Sequence, residues 1–216
     1  MESPALQALA AEAMRRRHGV SQAEAIRRLE FQDATHEVDD AIRGLLGDRD
    51  GGMWFDHDDG GRLKVAVVRR DTGIADSAVD RVRGLLAAHG LSDGTDLVPV
   101  DYGWRVLADA QSRVDDELLD LICAGKISSG LSAAENAVHI DMATTVTRAD
   151  RAQLRRVAEQ AQVRVLMRQT DRPTMRIYAR VDPSRDPTHA DQGAAIARSC
   201  FRLVASVSRV DGRRPP

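Results

Sequence analysis

Asp56, His57, Asp58 and Asp59 stand in consecutive positions inside the stretch GGMWFDHDDGGRLKVAVV, which runs from Gly51 to Val68. Carboxylates and an imidazole are the groups that hold divalent cations or move protons, so this cluster is the first place to look for a metal or catalytic centre. The spacing argues against both. Neighbours on a strand point to opposite faces, and four consecutive side chains converge on one ion only where the loop folds back on itself. No EF-hand spacing is present, and no second His or Cys cluster stands nearby to complete a zinc set. Asp59-Gly60-Gly61 favours the positive backbone angles of a tight hairpin. A hairpin tip is therefore the expectation, with a weak loop-bound cation as the minor alternative.

The other histidines, His18, His36, His89, His139 and His189, are scattered, and none sits at a spacing that activates a nucleophile. His139 alternates with Val138 and Ile140 on a strand-like run, so a solvated position is expected. The chain contains no G-x-S-x-G, H-E-x-x-H, P-loop or G-x-G-x-x-G pattern. No catalytic residue, metal ligand or cofactor is expected, and the chain reads as a non-enzyme. Cys123 and Cys200 lack metal-ligand spacing and leave two readings, one buried thiol with one tail thiol, or a single long-range disulfide.

One surface pattern rises above background. In VRVLMRQTDRPTMRIYARV, Arg164 and Arg168 alternate out from Val163, Val165 and Met167, while Arg176, Tyr178 and Arg180 alternate out from Met175, Ile177 and Val181. If the two segments pair, four arginines and a tyrosine share one sheet face. A solvated outer face whose charges discourage aggregation is the plainer reading. A docking surface is the functional one, because Arg and Tyr are enriched at interfaces.

The elements that must position these residues follow from periodicity. Ser21 and Glu24 mark a helix start, and helical spacing continues through Val38, Ile42 and Leu45 to a stop at Gly47. Leu63, Val65 and Val67 alternate as a strand after MWFD. Ala75, Val79, Val82 and Leu86 return to helical period, and DLVPVDY is a short strand whose Pro99 suggests an edge. The order then recurs. Trp104, Leu107, Val114, Leu118 and Leu121 form one helical stripe. ISSGLSAAENAVHIDMA is a hairpin with Val138, Ile140 and Met142 inward, Thr147 caps a helix, and VRVLMR closes the set. Each half reads helix, strand, strand, helix, strand. The expected fold is α+β, two related modules of small sheets packed on helices, preceded by a helical pair. The expected divisions are an amino-terminal extension over 1–20, a first module over 21–102, a second over 103–182, and a linker with a carboxy-terminal strand and tail over 183–216.

Composition narrows the function classes. An apolar fraction of 43% in 216 residues supports a packed core, and aromatics at 3% leave Leu, Val, Ile and Ala to fill it. The net charge of -2 supplies no global field for nucleic acid or an anionic membrane, so neither partner is expected. The first twenty residues lack a continuous apolar stretch before a cleavage site, and no run approaches transmembrane length. A cytoplasmic chain is the expectation from the sequence as written.

Taken together, HGVSQAEAIRRLEFQ, the Gly51–Val68 stretch, VPVDYGWRVLADAQSRVDDEL and GLSAAENAVHIDMATTVTRADRAQLRRVAEQAQVRV resemble the pro-region of secreted bacterial serine proteases of the alpha-lytic protease and streptogrisin type. The likeness rests on E-A-x-x-R-L in a helix, on G-x-W-x-D at Gly52 to Asp56, and on Asn136 before the apolar AVHIDM, and it spans roughly residues 17 to 168. It implies a folding assistant and inhibitor of a chymotrypsin-fold serine protease, in cis or in trans, working through strand-edge contacts and without chemistry of its own. The sequence departs from the family in two respects. That family is exported, and it continues into a protease domain with T-A-A/G-H-C and G-D-S-G-G motifs, neither of which occurs here. A truncated or lost protease domain is the implied reading. The alternatives are a stand-alone interaction or scaffold protein, or an enzyme with an unrecognised site.

Overall fold

The computed structural model describes residues 4–69 and 77–171. They form a mixed α+β fold with two three-stranded sheets and helices packed around them. The chain divides into two compact units. The first takes the described residues up to Val106 together with Ala133–Asn136, and the second takes Leu107–Ser132 and the described residues from Ala137 onward.

The first unit opens with helix α1 (Pro4–His18), where the sequence suggested only an extension. Its alanines favour helix, yet it buries little more than Ala11, so there is no apolar stripe to read. Helix α2 (Gln22–His36) starts where Ser21 Oγ accepts the amide hydrogen of Glu24. The reciprocal half of the expected capping box is absent. The Glu24 carboxylate instead takes the guanidiniums of Arg27 and Arg28, charge-assisted bonds that outcompete a backbone amide. The helical spacing that continues past His36 belongs to a separate helix, α3 (Asp39–Leu46), which ends at Gly47 with φ 54°.

Strands β1 (Asp50–Asp56) and β2 (Arg62–Val68) pair antiparallel, helix α4 (Ser77–Ala88) crosses over, and β3 (Thr95–Val100) pairs parallel to β2. Between Asp50 and Met53 the register slips by one residue, because Gly51 and Gly52 together stand opposite Ala66. Gly52 adopts φ 93°, and a Cβ there would lie 2.8 Å from the Trp104 ring. The core joins Val38, which precedes α3, and Ile42 and Leu46 of α3 to Leu63, Val65 and Val67 of β2 and to Val82 and Leu86 of α4. On the opposite face of the sheet, Asp96 accepts a bidentate pair from Arg62 at 2.7 Å and a further bond from Lys64 at 2.7 Å, which ties β3 to β2.

The second unit repeats the plan. Helix α5 (Trp104–Glu117), whose first residues belong to the first unit, leads to α6 (Leu119–Cys123), and the long helix expected over this stretch is interrupted at Leu118. Leu118 itself is fully buried, so the stripe survives the break. Strands β4 (Ile127–Ser132) and β5 (Ala137–Ala143) form the hairpin, helix α7 (Arg148–Gln160) crosses over, and β6 (Val165–Thr170) pairs parallel to β5. Val138, Ile140 and Met142 point to the helix side, where Val114, Leu118, Leu121, Leu154 and Val157 meet the sheet. Each such side chain contributes about 1.5–3 kcal/mol on burial. Cys123 is disulfide-bonded, and the one other cysteine of the sequence, Cys200, lies outside the described residues.

Asn136, at the β4–β5 tip, belongs to the first unit and does three jobs with one amide. Its Oδ1 accepts the amide hydrogens of Asp101 at 3.1 Å and Tyr102 at 2.8 Å, and its Nδ2 donates to the Tyr102 carbonyl at 2.8 Å. Its φ of 47° is one that asparagine tolerates better than most residues. Asn136→Ala, which loses all three bonds and keeps the strained angle, is expected to lower unfolding stability by about 2–4 kcal/mol. Asn136→Asp, which keeps the two accepted bonds, should lose less. Denaturant midpoints followed by tryptophan fluorescence check the ranking.

Candidate functional site

The last described strand of the second sheet is the best-defined candidate surface. Its placement begins at α7, which Thr147 and Asp150 start with a complete capping box. Lys126 donates to Asp150 Oδ2 at 2.9 Å, and that ammonium, with the Thr147 bonds, holds the Asp150 carboxyl down at about 2. Leu154 and Val157 then bury against the core, and Gln162, at φ 56°, turns the chain into β6. The register sets Val165, Met167 and Gln169 beside Val138, Ile140 and Met142. Val165 packs against the core, whereas Met167 is 39% exposed and Gln169 is exposed. Arg151 of α7 steadies the strand with a bond to Gln169 Oε1 at 3.2 Å. Among the described residues β6 has one neighbouring strand, β5.

Of the five residues expected to share an outer face, two are described. Arg164 and Arg168 are both exposed. The Arg164 carbonyl accepts the Val138 amide hydrogen at 3.0 Å, and Arg168 stands in register with Asp141. Arg176, Tyr178 and Arg180 lie outside the described residues, as does the strand expected to carry them. His139 faces away from the core side, as its alternation implies. It is half-buried rather than solvated, with Gly130 and Leu166 as its cross-strand neighbours.

The Asp-rich stretch forms a hairpin loop. Gly60 and Gly61 take φ of 67° and 76°, and the Gly61 amide bonds the Asp56 carbonyl at 2.8 Å. The carboxylates turn to separate tasks. Asp56 Oδ1 accepts the amide hydrogens of Asp58 and Asp59, Asp59 pairs with Lys64, and Asp58 is exposed. Among the described residues no three His, Cys, Asp or Glu side chains are grouped to hold a metal ion. A cavity of about 180 Å³ in the first unit is lined by Arg49 and Arg69 together with Val67, Val68 and Leu97. Its lining includes no carboxylate, imidazole or hydroxyl.

Two polar contacts were not expected. His57 stacks on His18, with ring centroids 4.1 Å apart. In the second unit Asp115 of α5 is buried against the sheet, where it accepts a short hydrogen bond from Ser129 Oγ of β4, and Gln111 Nε2 donates to the same hydroxyl at 3.2 Å. The sequence signal for this contact was present. Gln111 and Asp115 are spaced i, i+4 with Leu118 one turn on, a polar step inside a buried stripe. Burial pushes the Asp115 carboxyl up to about 6, with the Ser129 bond opposing and Asp116 adding to the rise.

No protein-family model matches the chain, and neither does any curated protein. Among the described residues no helix is long and apolar enough to cross a membrane.

The raised pKa of Asp115 ties stability to pH in one direction. The folded state holds its proton at higher pH than the unfolded state, so the contribution is most favourable below about 4 and is lost as pH rises towards about 6. Asp115→Asn, which keeps an acceptor for Ser129 and carries no charge, should therefore be more stable than the unaltered chain at pH 7.5, by up to about 3 kcal/mol. The gap should close below pH ~4. Denaturant unfolding at a series of pH values checks both statements.

Proposed function

We propose that this chain works as a folding assistant and inhibitor of the protease pro-region type, gripping a chymotrypsin-fold serine protease through a strand edge. The observation that carries the reading is the position of β6. It is the last described strand of its sheet, it has one described strand neighbour, and it presents Met167 and Gln169 to solvent near Arg164 and Arg168. A polypeptide added along such an edge gains main-chain hydrogen bonds that need no particular side chain, and the exposed side chains select among partners. A protein that binds a client's folding transition state lowers the folding barrier, and if it also binds the native client it inhibits it.

The residues of the resemblance support this reading by where they stand. The G-x-W-x-D motif lies on β1, with Gly52 at the point where the strand needs a glycine. E-A-x-x-R-L lies on α2, where Arg28 reaches the β1–β2 loop. Asn136 ties a hairpin tip to Asp101 and Tyr102. Gly52, Arg28 and Asn136 thus each make a structural contact.

The test uses the full chain with a separately produced protease domain of the alpha-lytic or streptogrisin type. Added at micromolar concentration, the chain is expected to raise the yield of active protease on refolding and to inhibit the native enzyme. Met167→Asp, an exposed change, should weaken inhibition about tenfold or more by placing an unpaired charge in the contact. An unaltered refolding yield together with undiminished protease activity contradicts the proposal.

A further inference from the structure

The β1–β2 loop is held to the first two helices by a small number of contacts, and one of them can titrate. Arg28 of α2, its side chain 7% exposed, donates through Nη1 to the His57 carbonyl at 2.9 Å, and Arg27 Nη2 donates to the Gly60 carbonyl at 3.0 Å. Gly61 lies so close to the Arg28 stem that a Cβ there would sit 2.8 Å from its Cδ. The His57 ring rests on the ring of His18, the last residue of α1, with 33° between the planes. His57 Nδ1 is buried and has no hydrogen-bond partner.

We propose that the stacked pair His18–His57 is an acid-sensitive latch, in which protonation of His57 releases the β1–β2 loop from the α1–α2 pair. Around the ring the charges are unbalanced. Arg17 and His18 face it from α1 and Arg28 from α2, while Asp56 at the end of β1 is the acid acting on it. Glu24 is occupied by Arg27 and Arg28, Asp59 by Lys64, and Asp58 is exposed in the loop. A proton added to the imidazole creates a buried N–H without an acceptor and a cation beside two guanidiniums and a second imidazole. Burial, then His18, Arg28 and Arg17, accordingly hold the His57 pKa below the ordinary histidine value, with Asp56 opposing. The sign follows. The folded state binds fewer protons than the unfolded state, so the contact is at full strength above about 6.5 and weakens as pH falls through the lowered value. The guanidiniums that let go of the loop carbonyls keep Glu24 as their partner, so release leaves no arginine without a counter-charge.

Amide hydrogen exchange on the full chain at pH 7.5 and pH 5, corrected for intrinsic exchange, tests the latch. Protection of residues 7–18 and 57–62 is expected to fall more than about threefold at the lower pH. In His57→Phe, which keeps a stacked ring and cannot take a proton, protection should be independent of pH. An equal fall in the variant, or none in the unaltered chain, overturns the proposal. A proton NMR titration of the His57 ring in the unaltered chain is a second reading that does not depend on the variant folding. A midpoint below 6.5 is expected, and one at or above 6.5 overturns the latch.

Discussion

A parallel strand cannot be reached by a tight turn, so after β2 and again after β5 the chain must cross the sheet through a helix before it can pair once more. The sheet-side core follows from that obligation. The crossover helices α4 and α7 must be amphipathic, and they supply Val82 and Leu86 to one core and Leu154 and Val157 to the other. Because each hairpin's second strand becomes the middle of its sheet, β2 and β5 alternate most cleanly between buried and half-exposed side chains. The last described strand, β6, has one described neighbour, and its other edge is where the proposed partner would add.

Polar groups in both units serve this geometry. Asp96 draws Arg62 and Lys64 together across the β2–β3 pair, and Lys126 with Asp150 fixes the start of α7 near β4. Asp115 is the exception, since it buries a carboxyl that accepts one bond from β4, and burial favours its protonated form. His57 has the opposite sign in the first unit. As protons are added under mild acid, these two groups therefore act on stability in opposite directions.

Much of this fold was legible in the sequence, and the legible parts share a cause. Val138, Ile140 and Met142 alternate without exception because one face of β5 is wholly buried, and Thr147 and Ser21 announce helix starts because an orphan amide needs an acceptor. Helix α1 was not legible because it buries almost nothing, so no stripe betrays it. The break at Leu118 was hidden because the stripe continues through it. At the candidate site, a strand could be read from VRVLMR, two residues ahead of where β6 runs, while its parallel register with β5 and the His18–His57 stack could not. Local periodicity says nothing of two rings that meet only when a hairpin loop folds onto a helix end.

Recognition along the β6 edge is what we propose. It is tested most directly by amide exchange on the full chain, alone and bound to a catalytically dead protease domain of the alpha-lytic type. New protection is expected within Val165–Thr170, in the alternating pattern of a strand gaining a neighbour. Protection confined to the helices or to the β1–β2 loop, with β6 unchanged in the complex, would contradict it.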